Sequence, residues 1–364
     1  MTRLLCITLF GELCGSSRVR VLQFVPYLDK NGIKCTTKKL FSDDYFKVIT
    51  NQKKANSIIK KTYGLVSGIL SALKRMKYVW IAKKYDAVLI QKDVFPIILQ
   101  KILKKRCPNI IFEFDDAIFE PSPYAKGIQK VYDYFRKKNL PNFLKICKHV
   151  ICENSYLADY AKKYNAHVSI ITAPIDTDEF HPVEQKNNSK KITLGWIGSA
   201  FTTNQLKLLI APLEIIGAKY PDVKLKLIGA DDSVKFKKIK VENIKWSLNT
   251  VLRELQSFDI GLMPLNDDPF NKGRLGYKII QYMSIGIPIV ASNTGLNKKI
   301  IINDKNGFLA SNDKEWIDKL SLLIENNNLS KRLGSNGRKM AVKNYSIKKA
   351  QKKFLHIFKK INKK

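Results

Sequence analysis

Short apolar runs alternate along the chain with longer stretches in which apolar positions recur every three or four residues. RLLCITLF, DAVLIQ, NIIFEF and HVICE are rich in β-branched and aromatic residues and predict buried strands. Between them, SSRVRVLQFVPYLDKNG and YLADYAKKYN show helical spacing, with Ser17 placed to cap the first and Gly32 to stop it. At 173–190 the pattern pauses: APIDTDEFHPVEQKNNSK is polar, holds two prolines and has no period. The alternation then restarts, and ITLGWIG, VKLKLIG, NIKW, FDIGLMPL, IPIVAS and GFLA predict strands separated by helices. The pattern reads as α/β, with two doubly wound domains facing across a cleft. We place an N-terminal domain at 1–172, a linker at 173–190, a C-terminal domain at 191–345 and a basic amphipathic helix at 346–364. In such sheets ligands bind at the carboxyl ends of the strands.

Candidate chemistry collects at those ends. LGWIGS closes a strand at Gly198 and Ser199, just before a helix expected from about Thr203. A turn of this kind offers backbone N–H groups to an anion. In FDIGLMPLNDDPFNKGRLGYKIIQYMSIGIPIVAS a strand runs into a glycine-rich loop carrying Lys272 and Arg274. A helix follows from about Gly276 to Ile285, with Lys278 in its first turn. The dipole of a helix start favours negative charge, and the cations add charge-assisted bonds suited to a pyrophosphate. Gly273 and Gly276 allow close backbone approach, and Gln281 falls a turn after Lys278, within reach of a sugar hydroxyl. The alternative is an ordinary solvated basic loop.

In the first half, CGSSRVR follows the first strand. Gly15 and Ser16 read as a tight turn and Arg18 as the start of a helix, a usual place for phosphate. There is no GxGxxG, so a dinucleotide site is not supported. FEFDDAIF sets Asp115 and Asp116 straight after a buried strand. Adjacent carboxylates there serve as a base, orient a hydroxyl or hold a metal; capping of the next loop is the competing reading. His149 and His167, in or beside strands, read as packing residues, and no HExxH or GxSxG is present.

Charge adds a partner. Lys and Arg number 65 against 31 Asp and Glu, a formal net charge of +34, which calls for an anionic partner: nucleic acid, anionic lipid or a phosphate-bearing small molecule. No run reaches the roughly 20 apolar residues of a membrane span. The first residues read as a strand rather than a signal peptide. Six cysteines without a CxxC read as reduced thiols, half of them in the core. Over 53–84, apolar residues recur at helical spacing, with Lys53, Lys60, Lys74 and Lys84 among the cations on the remaining positions. That suits a helix in an anionic membrane interface, where Tyr78 and Trp80 would be at home. An amphipathic helix packed on the sheet is the alternative.

The motifs LGWIGSAFTTNQL, VKLKLIG, SFDIGLMPLNDDPFNKGRLGYKIIQYMSIGIPIVAS and NGFLA, with the segment ITAPIDTDEFHP, resemble family 4 glycosyltransferases of the GT-B fold, especially bacterial cell-surface polysaccharide enzymes. GSSRVR, FEFDDAIF and VICENSYLADYAKKY match more loosely. The resemblance implies two Rossmann-like domains, a nucleotide-sugar donor on the second and a glycan or lipid-linked acceptor on the first. It implies transfer with retention, no cofactor and no metal, in the cytoplasm and peripherally at the inner face of the cell membrane. Gly198 and Ser199 would line the donor turn, and Arg274 and Lys278 would face the diphosphate. Gly15, Ser16 and Arg18 would close on it from the other domain. Trp246, after NIKW, falls at the base pocket, with core packing as its alternative. Asp268, Lys272, Gly276 and Gln281 complete the donor set, and Asp115 and Asp116 are the catalytic candidates. Many members carry two glutamates separated by seven residues; here those positions are Gly273 and Gln281, with Asp267 or Asp268 as possible substitutes for the first. Many also place a histidine in the first domain, where Asp115 and Asp116 stand. Other readings are a nucleotide-sugar epimerase of the same fold, a member that binds donor without turnover, and a basic nucleic-acid-binding protein. The last would bind with strong salt dependence, and the sequence lacks a recognisable reading module for it.

Overall fold

The computed structural model describes residues 2–50, 57–122, 128–183, 191–274 and 276–362; the side chains at 57–61, 128, 129, 272 and 362 lie outside that description. The chain forms two compact units, one of residues 1–173, 273–275 and 348–364, the other of 174–272 and 276–347.

The first unit holds a parallel sheet of β1 (Thr2–Thr8), β2 (Ile33–Lys39), β3 (Ala87–Gln91), β4 (Ile110–Phe114), β5 (His149–Cys152) and β6 (Val168–Ile170), in the order β2-β1-β3-β4-β5-β6. β3 and β4 are buried along their whole length because helices cover both faces. Their side chains alternate between two cores. Val88, Ile90, Phe112 and Phe114 face Phe95, Phe143 and the helices Ser57–Ile81, Ile97–Arg106 and Ile128–Ile146. Ala87, Leu89 and Ile111 face Phe24, Leu28 and the helix Ile347–Asn362. Phe354 of that last helix stacks on Phe24 at 4.3 Å between ring centroids.

The sequence pattern missed both edge strands. β2 reads IKCTTKK, with mostly exposed polar side chains, and β6 has three residues, none buried. The single helix expected after β1 is broken into Gly15–Arg20, a 3-10 turn Leu22–Phe24 and Val25–Lys30. Pro26 has no N–H for an unbroken ladder and instead starts the last piece. Ser17 therefore lies inside a helix rather than capping one. Gly32 does end the last piece, at φ +85°.

The second unit holds β7 (Thr193–Ile197), β8 (Lys224–Ile228), β9 (Lys240–Ile244), β10 (Ile260–Met263), β11 (Ile289–Ser292) and β12 (Phe308–Ala310), all parallel, in the order β12-β11-β10-β7-β8-β9. β9 begins three residues before the expected NIKW. The helix expected from Thr203 is 3-10 over Thr203–Leu209 and α only over Ile210–Lys219, because Pro212 cannot donate to the carbonyl four residues back.

The described part of the stretch read as a linker is tied into the second unit. Ile175 N–H donates to the Tyr345 carbonyl at 2.8 Å, and Arg338 donates to the carbonyls of Thr177 and Phe180, both at 2.7 Å. Residues 184–190 lie outside the described residues. The terminal basic helix counts with the first unit from Lys348 onward. Of the candidate interfacial stretch, 53–56 also lie outside the described residues. Tyr78 proves buried, its hydroxyl donating to the Lys39 carbonyl at 3.1 Å, whereas Trp80 is exposed with Arg106 3.7 Å above its ring. No helix among the described residues is long and apolar enough to cross a membrane. The six cysteines are free; Cys6, Cys107, Cys147 and Cys152 are buried.

Candidate donor and acceptor sites

In the first sheet the strand order reverses between β1 and β3, which opens a crevice at their carboxyl ends. The turn after β1 is closed by the Cys14 N–H on the Gly11 carbonyl, and Gly15 is already the first helical residue. Ser16 thus enters the crevice from a helix. Its hydroxyl donates to Asp115 Oδ2 at 2.7 Å and accepts from Gln91 Nε2 at 2.7 Å. Arg18 Nη1 bonds the Glu12 carbonyl at 2.5 Å. Lys92, just past β3 with φ +59°, sets Nζ 2.7 Å from Asp115 Oδ1 and also bonds Asp116 Oδ2. Arg274 Nε lies 3.6 Å from Asp116 Oδ1. Burial pushes the Asp116 carboxyl up, but Lys92 and Arg274 outweigh it and hold it below the usual carboxylate range. A carboxylate stabilised in this way is a poor proton acceptor. Of the roles read from sequence for Asp115 and Asp116, the geometry suits orientation: of Ser16, of Arg274, or of a hydroxyl. Among the described residues no three or more His, Cys, Asp or Glu side chains gather as a metal site.

Beneath this pair lies a buried ionic trio. Arg20 Nε meets Glu113 Oε1 at 2.7 Å, and its Nη1 lies 3.9 Å from Glu153 Oε1. Burial pushes the Glu113 carboxyl up to about 7 against the pull of Arg20, and burial raises Glu153 well above its usual value. One guanidinium faces two buried carboxylates, and burial outweighs its pull on both.

In the second sheet the order reverses between β7 and β10. The backbone amides expected to be open there are already bonded. Gly198 N–H donates to the Ile228 carbonyl at 2.9 Å and Ser199 N–H to Thr202 Oγ1 at 3.0 Å. Gly198 is required by close approach: a Cβ there would lie 2.2 Å from the Trp196 ring and 2.7 Å from Thr202 Oγ1. Trp246, half-buried, stands at the next strand end, where a Cβ on Gly229 would lie 3.2 Å from its Cβ and 2.6 Å from the Gly198 carbonyl. The helix observed as Tyr277–Ser284 starts at Gly276 with no side-chain cap. Lys278, in its first turn, holds Nζ 4.0 Å from the centroid of the buried Trp196 ring. Gln281 follows a turn later and is largely buried.

The expected loop before this helix contains a helical turn, Pro269–Lys272. Asp268 starts it by accepting the Asn271 N–H at 2.8 Å, and Asp267 accepts the Thr294 hydroxyl at 2.7 Å. The side chain of Lys272 lies outside the described residues. Arg274 belongs to the first unit with Asp116, and Lys278 to the second with Trp196.

Residues 176–340 match the family model described as glycosyl transferases group 1. The chain resembles the group 1 glycosyltransferases. It is 30% identical over 173 residues to an uncharacterized glycosyltransferase of Haemophilus influenzae, covering 45% of this chain and 49% of that one. The match therefore spans about half the length of that relative. Among solved structures, Anabaena HepE in complex with UDP and glucose superposes with a TM-score of 0.67 at 15% identity, over 99% of this chain and 100% of that one. Sucrose-phosphate synthase of Thermosynechococcus elongatus gives 0.71 at 14% identity, over 99% of each chain. At such identities the likeness is one of fold. The two parallel sheets match the two Rossmann-like domains of the GT-B fold.

Against the glycosyltransferase pattern, the departure at Gly273 has a structural reason. Its carbonyl accepts from Asn154 Nδ2 at 2.8 Å, and a Cβ would lie 2.8 Å from Ala117 Cβ. A glutamate has no room there. The sequence reading passed over Arg20, Gln91, Lys92, Glu113, Glu153 and Trp196. A signal was present for two of them: Glu113 interrupts the apolar run NIIFEF, and Arg20 lies between valines in SSRVRV. A charge inside a buried pattern needs a partner.

Proposed function

We propose that the protein transfers a sugar from a nucleoside-diphosphate donor to an acceptor hydroxyl. The acceptor oxygen bonds the anomeric carbon and releases its proton. The bond from that carbon to the diphosphate oxygen breaks, and the nucleoside diphosphate leaves with the electron pair. In this reading the donor lies along the carboxyl edge of the second sheet, with its base toward Trp246 and its diphosphate toward Lys278 and the start of the Tyr277–Ser284 helix. Those groups supply the positive charge that the leaving group needs without calling on a metal. Gln281 is placed for a sugar hydroxyl. The Asp115, Asp116 and Lys92 cluster of the first unit orients the acceptor. Following the family resemblance, transfer retains anomeric configuration, the acceptor is a cell-envelope glycan or lipid-linked saccharide, and the protein works at the inner face of the cell membrane.

The observation that carries this reading is Lys278 in the first turn of an uncapped helix, within the segment matched to the glycosyltransferase model. HepE, as its crystal structures describe it, binds UDP and UDP-glucose, which makes uridine donors the first to try. A thermal-shift screen of uridine, guanosine and adenosine diphosphate sugars, followed by release of free nucleotide from any hit, tests the reading. Stabilisation by one nucleotide series, lost in Lys278→Ala, is the expected result. A protein that no nucleotide sugar stabilises would sink it.

A further inference from the structure

Where the order of the second sheet reverses, β7 and β10 part early: they pair at Leu194 with Ile260 and at Gly195 with Gly261. Past that point Tyr282, from the helix Tyr277–Ser284, bridges the two strands. Its hydroxyl accepts the Ile197 N–H at 3.1 Å and donates to the Leu262 carbonyl at 3.4 Å. A Cβ on Gly261 would lie 2.5 Å from the Tyr282 ring, so ring and strand fit closely and fix the helix on the sheet. Lys278 stands about one turn before Tyr282, and its Nζ lies 4.0 Å from the centroid of the Trp196 ring. Trp196 precedes the very residue whose amide Tyr282 takes. Its ring also abuts the turn after β7, where a Cβ on Gly198 would lie 2.2 Å away. One indole thus underlies both the strand-end turn and the cation at the helix start.

Packing alone does not call for tryptophan here. The side chain is fully buried, yet its indole N–H makes no hydrogen bond. An unpaired buried donor carries a cost that Phe or Leu would avoid. What the indole offers in return is its face. In the first unit Lys92 is held by Asp115 and Asp116, whose charges offset its own. An acid beside Lys278 would hold the ammonium too, but it would repel a diphosphate. A ring quadrupole attracts a cation without neutralising it, more strongly when the ring is shut off from water, and Trp does so best. The ammonium at the end of a flexible four-carbon stem is held in place and keeps its charge through that contact.

Building on the transferase reading, we infer that Trp196 is a positioning residue for the donor diphosphate: its ring sets the place of the Lys278 ammonium on a helix that Tyr282 anchors between β7 and β10.

The test is calorimetric titration of the full chain and its variants with uridine, guanosine and adenosine diphosphate, and with the matching phosphate-free nucleosides. Trp196→Leu removes a core ring as well as the face beneath Lys278, so the contrast between ligands decides. For the diphosphate that the parent binds, Trp196→Leu should weaken binding about tenfold and Trp196→Phe, which keeps a poorer ring face, about threefold. Binding of the nucleoside should be unchanged in both. Equal weakening for diphosphate and nucleoside, or a Trp196→Phe protein that binds diphosphate as the parent does, overturns the inference; the second criterion holds even if Trp196→Leu does not fold. The pairing itself is read without ligand, as non-additivity of Trp196→Phe and Lys278→Ala in denaturant unfolding. Non-additivity in a parent that binds no nucleoside diphosphate sinks the transferase reading and leaves the pairing standing. Diphosphate binding with strictly additive variants sinks the role of Trp196 alone.

Discussion

Two sheet edges of the same architecture are finished in opposite ways. At the carboxyl edge of the first sheet, charges pair with one another: half-buried Lys92 with Asp115 and Asp116, and buried Arg20 with Glu113 and Glu153. At the edge of the second, shape dominates. Gly198 is pressed against the Trp196 ring, its amide is bonded to the next strand, and Lys278 rests over the same ring. The contrast teaches where each edge is vulnerable. A paired charge network is weakened by removing one member, because the charges left behind lose their main counter-charge. An edge built on close approach is lost by adding a single carbon.

The largest expected effect follows from breaking the first edge. Lys92→Met leaves Asp115 and Asp116 close together with their shared cation gone, and should destabilise the first unit by about 3–5 kcal/mol. Denaturant unfolding followed through the first unit measures it; a loss under about 1 kcal/mol would show that the pair is not held by Lys92. Next, Lys278→Ala should lower donor turnover by about a hundredfold with little change in melting temperature. Unchanged turnover would take Lys278 out of the site. Glycine substitutions sharpen the contrast further. Gly198→Ala should cost about 1–3 kcal/mol, because the Trp196 ring must move. Gly15→Ala meets only the tip of Arg18 at 3.9 Å and should be neutral or slightly stabilising in a thermal melt. Equal effects at both glycines would erase the distinction.

The last effect is a pH slope. Glu113, pushed up to about 7 by burial, keeps in the folded state a proton that the unfolded chain loses near its ordinary 4.5. Its contribution is full below 4.5 and is lost as pH rises through 7. Stability of the first unit should therefore fall from pH 5 to 7 by up to about 1 kcal/mol per unit relative to Glu113→Gln. Parallel pH profiles for the two proteins would show that Glu113 is ionised throughout.

The strands at the centre of both sheets were legible, because sheets covered on both faces need continuous apolar runs. β2, at an edge, was not, and β9 only in its last two residues: IKCTTKK and KVENI are mostly open to water and resemble loops. The site was legible as separate pieces. Asp115, Asp116, Gly198 and Lys278 each announce themselves beside a strand end or helix start, but what holds them is distant in sequence. Lys92 lies 23 and 24 positions from its partners, and Trp196 lies 82 from Lys278. No local pattern encodes such pairings. Nor could it tell that the amides at Gly198 and Ser199 would be used internally, since that depends on β8 and on Thr202.

The helix Ile347–Asn362 contributes Ala350, Phe354 and Phe358 to one of the two cores of the first unit. Synthesis proceeds from the other end. When residues 1–173 have left the ribosome, one face of their sheet still lacks its cover, and the covering segment is made only after the whole second unit. Early folding must therefore wait with Phe24 and Leu28 open to water until that segment arrives.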